Sequence, residues 1–294
     1  MSFNEDADLD LSQVTGGGKG AIALGGGLGG IVILLVGAFF GVDLSGLTGT
    51  GGPFDTSQVS TSNVDLSRCK TGADANRYDD CRVVGTVNSV QDYWSKALPA
   101  DLDRQYRPAK TVIYEGTTPS ACGTASNETG PFYCPADQQV YIDASFFRLL
   151  TTRFGADDGA LAQEYVVAHE YGHHVQQLLG ILDRGQDGST GATSSGVRIE
   201  LMADCLAGVW ANHAATTKDA DGNTLLEPLT AADVKSALSA AAAVGDDAIQ
   251  RSAGARVNPE SWTHGSSEQR QRWFTTGYEQ GTIRACDTFA TDDL

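Results

Sequence analysis

Basic residues are scarce in this chain of 294 residues: 20 lysines and arginines stand against 37 acids, a formal net charge of −17. A surface that negative repels phosphate backbones, so nucleic acid is not an expected partner. No CxxC pair occurs among the six cysteines, which argues against a zinc site built from cysteine. No internal repeat is found, and strand-like alternation is sparse. The acidic start also argues against a cleaved secretory signal peptide, which is expected to open with a basic segment. Histidine is rare, at five in the whole chain, which gives weight to any pattern that uses two of them.

What is present suits a folded domain with a short N-terminal appendage, since hydrophobic residues make up 41% and charged residues 19%. Residues 1–20 carry Glu5, Asp6, Asp8 and Asp10 against the lone Lys19, and read as a disordered tail. From Ala21 to Val42 no charge occurs. At ~1.5 Å per residue a helix over this run spans about 33 Å, enough for a bilayer core. Residues 21–42 are therefore read as a transmembrane signal anchor; a buried soluble helix fits its many glycines poorly. Lys19 before the run, and no base between Val42 and Arg68, point to a single pass with the C-terminal domain outside. Residues 43–64, rich in Gly, Ser and Thr, read as a flexible linker, and 65–294 as the folded domain.

Within that domain, helical periodicity runs over Ser89–Leu98, Ala144–Arg153, Ala160–Leu179, Val197–Thr216, Ala231–Val244 and Ser267–Tyr278. Thr230 with Asp233, and Ser266 with Gln269, have capping-box spacing. Thr111–Tyr114 and Gln139–Ile142 are the best strands. Helices outnumber strands without alternating with them, which predicts an α+β, helix-rich fold with a small sheet. The cysteines form two local pairs of equal spacing, Cys69 with Cys81 and Cys122 with Cys134, leaving Cys205 for Cys286. Six cysteines allow fifteen connectivities, and buried free thiols are the alternative; disulfides imply an oxidising compartment.

The chemistry centres on His169-Glu170-Tyr171-Gly172-His173. Two histidines four apart on a helix project from one face and can hold one ion, with Glu170 in reach of a polarised water. Val166, Val167, Ala168 and Val175 flank the motif, so the segment is expected to be buried rather than a surface helix carrying the pattern by chance. A third ligand is needed, and Glu200 is the candidate, with Asp204 one turn later to hydrogen-bond a ligating ring. Both acids sit in an otherwise apolar helix, where unpartnered carboxylates are costly. His174 points about 100° away from His173, which fits packing better than ligation. His213 is read as structural, and Gly172 as permitting close approach of another backbone.

These motifs resemble the neutral zinc metallopeptidases of the YpfJ-like family, a gluzincin-type zincin group. The resemblance runs from about Arg68 to Ala290 and includes Cys122-Gly123, Gly130 through Asp137, Val140-Tyr141-Ile142-Asp143, Glu200 through Trp210 and Thr263 through Arg270. It implies a zincin fold and one Zn²⁺ held by His169, His173 and Glu200. Glu170 would then take a proton from the attacking water and pass it to the leaving amine. His264, just before a capped helix, is the candidate oxyanion donor, with Tyr171 and Tyr141 as lesser candidates. By analogy with zincins, Gln139–Asp143 is a candidate for the edge strand that holds an extended substrate, with plain sheet structure the simpler account. The expected activity is a membrane-anchored metalloendopeptidase acting on protein or peptide in a bacterial cell envelope. The alternatives are a catalytically idle scaffold of the same fold, a zinc hydrolase of another carbonyl substrate, and a purely structural zinc site.

Overall fold

The computed structural model describes residues 1–17, 61–62, 64–126 and 129–294. Two short strands come first, β1 (Val14–Gly16) and β2 (Thr61–Ser62), then helices α1 (Gly72–Arg77) and α2 (Asp79–Leu102). Strands β3 (Lys110–Ser120), β4 (Gly123–Ser126), β5 (Phe132–Cys134) and β6 (Gln139–Asp143) follow. The rest is helical: α3 (Phe146–Thr152), α4 (Ala160–Leu179), α5 (Ser195–His213), α6 (Ala231–Ala243), α7 (Asp246–Ser252) and α8 (Ser267–Gln280). The α+β expectation therefore holds.

The mixed sheet runs β1-β3-β6-β5, with β3 parallel to both β1 and β6 and β5 antiparallel to β6. The far half of β3 pairs with β2 and β4. Alternation along the strands divides the side chains between two cores. Ile113, Tyr133, Val140 and Ile142 face the helices, while Tyr114, Phe132, Cys134 and Tyr141 form a smaller cluster behind. Gln139–Asp143 is thus not an edge, because it pairs with β3 on one side and β5 on the other; β5 ends the row on that side.

Two helix crossings set the other side of the molecule. A Cβ on Gly172 would lie 3.0 Å from the Ala203 backbone, so α4 and α5 touch there, as the sequence suggested. At the crossing of α5 and α8, a Cβ on Gly208 would meet the Phe274 carbonyl oxygen at 2.1 Å, and one on Gly277 the Cys205 oxygen at 1.9 Å. Neither position has room for a side chain. The expected capping boxes open α6 and α8, and a left-handed Gly180 (φ 70°) closes α4. The three disulfides are Cys69–Cys81, Cys122–Cys134 and Cys205–Cys286.

The tail reading of residues 1–20 is corrected over 1–17. Met1, Phe3, Ala7, Leu9 and Val14 are buried, while Glu5, Asp6, Asp8 and Asp10 are exposed. Phe3 packs where a Cβ on Gly85 would be, and its backbone exchanges hydrogen bonds with the Asn76 side chain. Charge content pointed to disorder, but the period-two apolar pattern beneath it docks the segment. The expected span, 21–42, and residues 43–60 of the expected linker lie outside the described residues. Among the described residues, no helix is long and apolar enough to cross a membrane.

Candidate metal centre

Helix α4 carries His169, Glu170 and His173 one turn apart, and α5 brings Glu200 across the Gly172–Ala203 contact. One ligand atom from each of His169, His173 and Glu200 lies within 4.8 Å of the others. His169 Nε2 stands 3.3 Å from one Glu200 oxygen, and His173 Nε2 3.5 Å from the other. All four of these side chains, Glu170 included, are about 1% exposed. Their inward-facing atoms (both imidazole Nε2 and all four carboxylate oxygens of Glu170 and Glu200) have no hydrogen-bond partner. Converging buried polar atoms without partners are expensive unless a cation collects them. Two imidazoles and a carboxylate suit Zn²⁺, with a fourth position left for chemistry.

The outer nitrogens fix the ring orientations. His169 Nδ1 donates to Asp204 Oδ1 at 2.8 Å, and His173 Nδ1 donates to Gln176 Oε1 at 2.9 Å. The Gln176 amide is itself oriented, because its Nε2 donates to the Ile199 carbonyl at 2.7 Å. Both Nε2 lone pairs therefore point inward, the tautomer a metal needs. Asp204 also accepts from Tyr165 Oη at 2.5 Å and, through both oxygens, from the Arg270 guanidinium at 2.8 and 2.9 Å.

Electrostatics divide the site. Burial pushes the Glu170 carboxyl up to about 7. Burial also opposes ionisation of Glu200, but the neighbouring His173 and His169 outweigh it and hold the carboxyl below its usual range. Burial lowers His173 to about 4, whereas for His169 the Asp204 carboxylate overcomes burial and raises it to about 9.

His264 lies within electrostatic reach of Glu200 and is 9% exposed, against about 1% for the three ligand candidates. Its Nδ1 stands 3.2 Å from Asp246 Oδ1, and Asp246 Oδ2 accepts the backbone N–H groups of Thr263, His264 and Gly265. Burial works against its charge, but Asp246 and Glu200 raise its pKa. The lesser oxyanion candidates are engaged elsewhere: Tyr171 Oη with Thr111 and the Ala109 carbonyl, Tyr141 Oη with Asp137. His174 is packed, donating from Nε2 to the Arg107 carbonyl beside Tyr133, and His213 stacks on Tyr93.

A profile described as "putative neutral zinc metallopeptidase" matches residues 5–289. The chain belongs to this family. A relative in Mycobacterium tuberculosis, the uncharacterized protein Rv2575, is 52% identical over 255 residues, covering 86% of this chain and 85% of its own. The uncharacterized protein YpfJ of Escherichia coli K12 is 39% identical over 278 residues, covering 92% and 87%. No solved structure matches. The matched span takes in residues 5–17, in keeping with their packing on the domain.

Gln176, Asp246, Tyr165 and Arg270 were missed as partners of the site. Gln176 was findable as the i+3 neighbour of a ligating histidine. Arg270 shares a helical face with Trp273, Phe274 and Gly277, a face expected to be buried, where an arginine needs an acid. Asp246 offered only its place in the first turn of a helix.

Proposed function

We propose that this family member is a zinc-dependent metalloendopeptidase of zincin type, with His169, His173 and Glu200 as ligands to one ion and Glu170 as general base. The convergence of three ligand atoms within 4.8 Å, partnerless and buried, carries this reading. When bound, Zn²⁺ supplies Lewis-acid polarisation of the scissile carbonyl and of the attacking water. Glu170 follows His169 directly in the chain, and its carboxyl, pushed up to about 7, can accept the water's proton and hand it to the leaving amine at neutral pH. His264, its Nδ1 turned to Asp246, presents Nε2 as the donor for developing oxyanion charge. The edge strand β5, whose Tyr133 backbone lies beside Glu170, offers main-chain pairing for an extended peptide. Three disulfides in bacterial relatives' company support an extracytoplasmic setting, and the apolar run 21–42 supports contact with the cell envelope.

An intact Glu170 beside the cluster speaks against the idle scaffold. The test is cleavage of casein-like peptide by the zinc-loaded full chain beside Glu170→Gln. The substitution is expected to lower kcat by roughly 100-fold or more with zinc still bound. Equal turnover by the two proteins would remove Glu170 from its role, and absence of any cleavage would favour the scaffold.

A further inference from the structure

Arg270 is about 1% exposed, and its guanidinium makes five polar contacts that reach three other elements, the longest at 3.4 Å from His169 Nδ1. Its Nε and Nη2 grip both oxygens of Asp204 on α5, Nη2 lies 3.2 Å from Tyr165 Oη on α4, and Nη1 donates to the Val244 carbonyl at 3.3 Å. The Val244 carbonyl closes α6, and one glycine later comes Asp246, which accepts the three backbone N–H groups of Thr263, His264 and Gly265. Asp246 N–H in turn donates to the Gly265 carbonyl at 2.8 Å, so the two loops are tied in both directions. His264 itself stands six residues before Arg270, across the Ser266 cap of α8.

We propose that Arg270 is a positioning residue that sets both halves of the centre at once: His169 through Asp204, and His264 through the Val244 carbonyl and the Asp246 loop. The planar guanidinium suits this task, because its donors leave in fixed directions and can serve a carboxylate and a carbonyl together. A lysine keeps the charge but has no planar fork to span a carboxylate and a carbonyl in fixed directions. A plain structural ion pair would need only the charge, and would have no consequence for His264.

The kinetic part rests on the peptidase reading; the metal-affinity part does not. Full-length Arg270→Lys is compared with the unchanged protein for zinc affinity, by competition with a chromogenic chelator, and for kcat and KM on a casein-derived peptide at saturating zinc. Zinc affinity is expected to fall roughly 10- to 100-fold, as for other partners of metal ligands. At saturating zinc, KM should hold while kcat drops, and that drop should shrink when both proteins carry His264→Ala, since coupled residues are not additive. Should Arg270→Lys fail to fold, Arg270→Gln, which keeps a planar amide donor and leaves Asp204 intact, takes its place. Unchanged zinc affinity in the folded variant would overturn the His169 half, and full additivity with His264→Ala the other. If the unchanged protein cleaves no peptide, the peptidase reading fails while the zinc titration still decides the role of Arg270.

Discussion

Deleting the Cys205–Cys286 bond as Cys205→Ala with Cys286→Ala is the sharpest test of how the C-terminal third is held. The bond joins residues 81 apart, and both sulfurs are buried. On the chain-entropy account, a loop of that size stabilises by about 4.5 kcal/mol, against about 3 kcal/mol for each local bond of separation 12. Domains of this kind hold only ~5–15 kcal/mol in all, so the loss is a large share of the total. Urea unfolding at fixed zinc, followed by circular dichroism, measures it. The double variant should lose more than the Cys69→Ala/Cys81→Ala protein by about 1.5 kcal/mol. Zinc at a 100-fold excess over its Kd should return about 2.7 kcal/mol to each. An equal or smaller loss than that of the local pair would refute the reasoning, because it would mean that loop length does not govern this bond.

Other outcomes follow from the same contacts. His264→Ala should reduce kcat by ~100- to 1,000-fold while leaving KM nearly unchanged, read in steady-state peptide cleavage. Gly277→Ala places a Cβ 1.9 Å from the Cys205 carbonyl oxygen, so α5 and α8 must part, lowering stability by about 1–3 kcal/mol in thermal unfolding. Glu164, fully buried on α4, has its carboxyl pushed up to about 7 by burial. Its folded pKa exceeds the unfolded value, so the folded state binds more protons and stability falls as pH rises from about 4.5 to 7. Glu164→Gln should flatten that decline and gain up to about 3 kcal/mol at pH 8, with no gain at pH 4. Chelation at neutral pH should lower the melting temperature, and zinc but not magnesium should restore it, since the donor set includes two imidazoles.

Much of the centre was legible because its signals are local. Helix α4 was readable from Ala160 to Leu179 since apolar periodicity, a terminal glycine and the histidine spacing agree. Glu200 and Asp204 stood out as acids in an apolar helix, and the burial of both bears that physics out. The three disulfide pairs followed from local closure. What stayed hidden was set by tertiary register. Nothing in Gln139–Asp143 says that β5 will flank it, because a three-residue strand has too little pattern to detect. The N-terminal segment was misread because acids at Glu5, Asp6, Asp8 and Asp10 outweighed the alternation of Met1, Phe3, Ala7 and Leu9. Arg270 lies in a motif that was singled out, yet its partner Asp204 is 66 positions away, and only the α5–α8 crossing joins them.

The seating of the first residues also binds them to the catalytic half of the molecule. Gly16 registers with Ile113 of β3, and Thr61 with Gly116 of the same strand, so two pieces of chain far apart in sequence lie three residues apart on one strand. Because β3 also pairs with β6, a change that loosened residues 14–16 would be felt in the strand row that backs the metal-bearing helix.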